Sequence, residues 1–245
     1  MKKIIIISSL VIICVFGVVV FASVYLAKNF SAKQVANGSA TNSLVKDNNE
    51  VINTAKKIQI KTVKAITNDD HYQGKLDAPV QMIVYSDFEC PVCLDYLDSI
   101  KQVKEIFGDK VVIAYRHYPL SYHANAQEAA LASECSSEQG KFWEMHELLY
   151  KNNKENSLSY EQYVYNAQGL GLDMQKFSQC MGEEKYKEKV YNNYLEGKMF
   201  GVSGTPATFI NGQYLPGAYP LENFTDSEGV QRNGLKAVIE SALKP

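Results

Sequence analysis

The joint between two apolar, β-type runs constrains this chain more than any other feature. Val80-Gln81-Met82-Ile83-Val84-Tyr85-Ser86, bounded by Pro79 and Asp87, and Val111-Val112-Ile113-Ala114-Tyr115 both read as buried strands. Between them, Cys93 to Phe107 carries apolar side chains at Leu94, Leu97, Ile100, Val103, Ile106 and Phe107, a helical stripe that ends at Gly108. Strand, helix, strand is a parallel crossover unit, so the expected class is α/β. Cys90-Pro91-Val92-Cys93 falls where the first strand ends and the helix begins.

Two cysteines three apart at such a joint can close a small disulfide while leaving one sulfur exposed. The helix N-terminus supplies unpaired N–H groups and a positive dipole end, which favour a thiolate over a thiol, and the thiolate is the nucleophile. Pro91 suits the first helical turn because it has no N–H to leave unpaired there. Cys90 is the expected attacking thiol and Cys93 the more deeply buried resolving one. The competing chemistry is zinc, which needs three or four ligands. No second CxxC exists, and His71, His117, His123 and His146 show no ligand spacing. His146-Glu147 is not a zinc-protease motif either, because Tyr150 stands where the second histidine belongs. No metal and no cofactor is expected.

From Ser121 to about Phe200 the pattern turns helical, with an Ala-rich stretch over 124–132 and breaks expected near Asn152, Gly169 and Gly182. Ala207-Thr208-Phe209-Ile210 and Gln213-Tyr214-Leu215 then flank Asn211-Gly212, a strong hairpin signal. A last amphipathic helix is expected over about Val230 to Leu243. Tyr160, Tyr163, Tyr165, Tyr186, Tyr191 and Tyr194 fit helix packing as well as they fit a peptide groove.

The first residues carry an address. Two lysines precede a run from Ile4 to Ala27 that lacks any charge, long enough to span a bilayer and oriented with the remainder of the chain outside. An uncleaved anchor over 1–27 is the reading; a signal peptide cut after Val20-Phe21-Ala22 is the alternative. Cys14 lies in this run without the small residue a lipoprotein signal places before its cysteine. Residues 28–57, rich in Asn, Ser, Ala and Lys, read as a flexible tether that reaches about 30 Å by square-root scaling, and 58–245 as the folded domain. With 46% hydrophobic and 21% charged residues the composition is globular. A net charge of −2, with Arg116 and Arg232 the only arginines, leaves no basic face for a phosphate backbone, so nucleic acid is not an expected partner.

Four ordered segments resemble the DsbA-like thiol-disulfide oxidoreductases, most closely the membrane-anchored BdbD-type branch: Asp87 to Cys93, Tyr115-Arg116-His117-Tyr118-Pro119-Leu120, Gly140 to His146, and Gly201 to Gly212. The likeness covers about residues 65–245. It implies a thioredoxin fold with an all-helical insertion over about 121–200, the order read independently above. It also implies a cis peptide bond at Pro206 facing Cys90 and Cys93, with Thr205 contacting the partner chain; from the residues alone a trans turn fits as well. Pro91 and Val92 complete the expected contact surface. Thioredoxins and many relatives carry a buried carboxylate six residues before the first cysteine, where this chain has Val84, so the proton of the resolving thiol must be handled otherwise. Asp87 and Glu89 read as solvated strand-end acids, and His117 as a strand-end residue. Cys135 and Cys180 share the insertion, and in an oxidising compartment two such thiols are expected to pair; the alternative is two unpaired core cysteines. The function implied is an exported oxidase that gives its Cys90–Cys93 disulfide to folding proteins with cysteine thiols and is reoxidised by a membrane quinone-linked partner. A reductase or isomerase on the same scaffold, or a non-catalytic anchored binding module, are the alternatives.

Overall fold

The computed structural model describes residues 63–244. The expected anchor, tether and alternative cleavage site lie outside these residues, as do positions 58–62 and 245; among the described residues no helix is long and apolar enough to cross a membrane.

A five-stranded sheet forms the spine, in the order β1 (His71–Gln73), β3 (Val111–His117), β2 (Val80–Ser86), β4 (Ala207–Ile210), β5 (Gln213–Pro216). β2 (Val80–Ser86) and β3 (Val111–His117) pair in parallel, as a strand–helix–strand unit requires, with Val84 beside Tyr115 and Ser86 beside His117. β4 (Ala207–Ile210) lies antiparallel to β2, and β5 (Gln213–Pro216) to β4 through the Asn211-Gly212 turn. β3 runs two residues beyond the expected Tyr115 because Arg116 and His117 continue its pairing with β2. The edge strand β1 (His71–Gln73) is too short to leave a periodic signal, and its partner is β3.

α1 (Pro91–Phe107) crosses between β2 and β3. It begins two residues before the apolar stripe suggested, since Pro91 occupies the first turn with Cys90 as an extended N-cap. It ends at Gly108, whose φ of +50° an L side chain adopts only at a cost. Tyr96, Val103 and Phe107 pack with Val80, Met82 and Val84 of the sheet and with Leu235, Val238 and Ile239 of the last helix, α7 (Leu235–Ala242). That helix starts later than expected, because Gln231–Arg232 pairs with Phe224–Thr225 as a small β-ribbon, β7 with β6.

The helical segment between β3 and β4 resolves into α2 (Ala126–Ser137), α3 (Phe142–Lys154), α4 (Tyr160–Gly169), α5 (Met174–Gly182) and α6 (Lys187–Met199). α2 is its centre. Ala129 to Ser136 are all buried, so the helix shows little amphipathic contrast, and Ser133 and Ser136 bond back to the carbonyls of Ala130 and Ala132. α3 runs through the expected break at Asn152, whose buried amide accepts from Asn166 of α4 at 2.6 Å. Cys135 of α2 and Cys180 of α5 form a disulfide, with Cα atoms 5.8 Å apart. On the opposite face of the sheet α6 approaches closely enough that a Cβ at Gly197 would meet the rings of Tyr118 and Tyr85 at 2.9 and 3.0 Å. Buried Arg116 ties this face together, clasping the Asp70 carboxylate at 2.7 and 3.0 Å and reaching Glu196 of α6 at 3.3 Å. Of the tyrosines that fit packing or groove, Tyr163 is fully buried, while Tyr160, Tyr165 and Tyr191 are exposed.

Candidate functional site

Cys90 and Cys93 are free cysteines at the start of α1. Cys90 O closes the first turn by accepting from the Cys93 and Leu94 N–H groups at 3.1 and 3.2 Å, and Asn153 of α3 also donates to it at 3.3 Å. Both cysteines are buried, Cys93 at 1% exposure and Cys90 at 5%, so the expectation of one open sulfur is corrected: Cys90 is only slightly the more accessible. The exposed surface of this tip is Pro91 and Val92, the latter 46% exposed.

The two sulfurs differ in charge preference. The Cys93 thiol bonds the Cys90 sulfur and, with the backbone N–H groups of Val92 and Cys93, holds Cys90 down to about 6 despite its partial burial. Burial, with Cys90 as neighbour, pushes the Cys93 thiol well up. Thr205 stands across from them. Its carbonyl accepts from Cys90 Sγ at 3.5 Å, and its buried hydroxyl, without another partner, favours the thiolate of either cysteine. The Thr205–Pro206 peptide bond is cis. Strand, helix tip and the loop before β4 thus bring together Cys90, Pro91, Val92, Cys93, Thr205 and Pro206, residues more than 110 positions apart in the chain.

Asp87 departs from its expected role. It is 2% exposed rather than solvated: one carboxylate oxygen accepts from the Glu89 N–H at 2.8 Å, and the other takes the Leu120 N–H and His123 Nδ1, each at 2.8 Å. It locks the end of β2 to the loop after β3. Glu89, partly buried, likewise receives the backbone N–H of Asn125. Beyond this loop a groove of about 950 Å³ runs between Leu120, His123, Val190, Tyr191 and Tyr194.

His117 ends β3 as expected, but it is part of a buried polar cluster that chain spacing conceals. His71 and His117 reach one oxygen of Glu134 at 2.8 and 2.9 Å, and Lys189 reaches the other at 2.8 Å. Burial holds the His71 imidazole below its usual range, while the bonds from His117 and His71 keep the Glu134 carboxyl low against its burial. The donor atoms of His71, His117 and Glu134 lie within 4.8 Å of one another, a set that can hold a metal ion. The Lys189 ammonium, 3.1 Å from His71 Nε2, already supplies the cation that balances the carboxylate.

Fold and site together define a thioredoxin-type dithiol protein, with a sulfur held toward the thiolate at a helix tip and a thiol mate one turn on. A family model described as thioredoxin matches residues 66–227, and the chain belongs to that family. Among solved structures, BdbD from Bacillus subtilis superposes with a TM-score of 0.60 at 21% identity, covering 75% of this chain and 98% of that one. α-DsbA1 from Wolbachia pipientis gives 0.55 at 22% identity, over 72% and 92% of the two chains. These likenesses are of fold. Two curated relatives are named Na(+)/H(+) antiporters: NhaA 1 of Mycolicibacterium vanbaalenii is 34% identical over 63% of this chain and 25% of its own length, and NhaA 3 of Salinispora tropica 36% over 62% and 23%. The chain therefore spans about a quarter of the curated relatives it matches.

Proposed function

We propose that the chain is an exported, membrane-anchored thiol-disulfide oxidoreductase that donates the Cys90–Cys93 disulfide to folding proteins with cysteine thiols and is reoxidised by a membrane quinone-linked thiol oxidase. The observation that carries this reading is the asymmetry of the pair: Cys90, facing the Cys93 thiol and held down to about 6, favours the thiolate at neutral pH, and buried Cys93 the thiol. A client thiolate attacks Cys90 Sγ, the Cys90–Cys93 bond breaks, and its electron pair leaves on Cys93. Attack by the client's second thiolate then releases Cys90 as a stabilised thiolate, so two electrons pass from client to enzyme. The closed Cys135–Cys180 bridge agrees with an oxidising compartment.

The deciding measurement is the reduction potential of Cys90–Cys93 in a glutathione series. A donor is expected well above the value of about −270 mV typical of thioredoxin; a value at or below it would replace the oxidase with the reductase reading. Anchoring is tested separately: alkaline carbonate should leave the protein with the membranes, and a mature N-terminus near Ser23 would replace the anchor with a cleaved signal.

A further inference from the structure

On the exchange reading proposed above, each cycle moves a proton on or off Cys93, whose burial disfavours the thiolate left by the broken disulfide. Two hydroxyls, those of Ser86 and Thr205, act on Cys93, each favouring its thiolate. That of Ser86, at the end of β2, is bonded to the hydroxyl of Tyr150 of α3 at 2.7 Å between oxygens. Behind them a cavity of about 40 Å³ is lined by Ser86, Tyr115, Tyr150, His146, Val84 and Trp143, among others, with no carboxylate in its wall. The Tyr115 hydroxyl is buried there with the Tyr150 hydroxyl as its neighbour. A space of this size with several polar atoms on its wall admits water, which needs about 10–15 Å³ and two to four partners.

The other titratable groups in this region do not suit the task. Asp87 is committed to Leu120, Glu89 and His123. Tyr96, on α1, is bonded to Thr208 at 2.9 Å and pushed up by burial. His146 is held down to about 3 by burial, so it stays a neutral imidazole. Cys90 is the reacting partner itself.

We propose that Ser86 and Tyr150, with water held in this cavity against Tyr115, carry the Cys93 proton between the sulfur and solvent. When the disulfide opens, Ser86 passes its hydroxyl proton to the Cys93 thiolate, Tyr150 restores Ser86, and cavity water restores Tyr150, a solvent proton completing the count. When Cys93 attacks a mixed disulfide at Cys90, the same line runs backwards. The shift is concerted, because a buried alkoxide or tyrosinate standing alone is costly. Ser86, Tyr115 and Tyr150 are positioning and proton-relaying residues; the sulfur chemistry stays with the cysteines.

Ellman's reagent tests this on the reduced full-length chain. The Cys90 thiolate attacks the aromatic disulfide and releases one thionitrobenzoate; Cys93, losing its proton, then attacks Cys90 and releases the second. In Ser86→Ala and Tyr150→Phe the first release is expected to keep its rate and pH midpoint. The second should slow by about tenfold or more at pH 7 and converge on wild type near pH 10, where hydroxide takes over. Tyr115→Phe should show a smaller deficit of the same form, and Ser86→Thr, which keeps the hydroxyl, should restore the rate even if the alanine variant folds poorly. A second phase unchanged at every pH, or slowed equally at every pH, overturns the relay. A wild-type chain in which the reagent forms no Cys90–Cys93 disulfide overturns the exchange reading instead.

Discussion

Cys90–Cys93 and Cys135–Cys180 are both buried, yet one pair is free and the other closed as a disulfide. Burial therefore does not separate a reactive cysteine from a structural one. Cys135 and Cys180 sit inside α2 and α5 and pack into the same apolar cluster as Cys90 and Cys93. Cys90 stands at a helix N-terminus, facing Thr205 and a thiol that donates to it. The thiol mate one turn on, Thr205 and the N–H groups of the helix tip, rather than depth, hold Cys90 toward the thiolate.

The largest effects come from the cysteines themselves. Cys90→Ala should reduce client oxidation to background and leave no adducts on non-reducing gels. Cys93→Ala should accumulate disulfide-linked client, because Cys90 attacks but no resolving thiol frees it. Replacing both Cys135 and Cys180 with Ala should leave turnover of the folded fraction near wild type. Loss of turnover there would erase the distinction between the pairs.

Stability separates them next. Removing the Cys135–Cys180 bridge should cost about 2–5 kcal/mol in denaturant unfolding, in line with the roughly 4 kcal/mol that loop-closure entropy gives for a loop of this length. Opening Cys90–Cys93, with the other bridge intact, should instead raise the denaturant midpoint. Its pH dependence follows from a lowered thiol. Below about pH 6 Cys90 is protonated whether folded or unfolded and contributes nothing; between about 6 and its ordinary value near 9 the unfolded chain binds more protons, so the reduced form gains stability with rising pH. Above that, the raised Cys93 works the other way, since the unfolded chain ionises first. The oxidised form, which has neither thiol, should lack both slopes. A reduced form less stable than the oxidised at pH 7–8 would count against disulfide donation.

The smallest effect is a labelling curve. Alkylation of reduced protein should show one fast thiol with a midpoint near pH 6 at Cys90, slow labelling at Cys93, and none at Cys135 or Cys180 in native, non-reduced protein. A midpoint above 8 for Cys90 would remove the electrostatic half of the comparison.

Much of this was readable from residue order because it is local. The β2–α1–β3 unit follows from apolar periodicity, Gly108 marks where α1 stops, and Asn211-Gly212 turns the β4–β5 hairpin. The Cys90-Pro91-Val92-Cys93 spacing places both sulfurs on one helical turn, and four ordered motifs pointed to the thioredoxin fold. What only the tertiary structure decided depends on contacts between distant segments. Asp87 looks like a solvated acid until Leu120 and His123 close over it, and His71, His117 and Glu134 converge from β1, β3 and α2 with no spacing to betray them. Ser86, Tyr115 and Tyr150 lie on β2, β3 and α3, and only packing places their hydroxyls around one cavity behind Cys93. Periodicity records which face of an element turns inward; it carries no information on which inward polar atoms meet, because that depends on the register and packing of segments far apart in the chain.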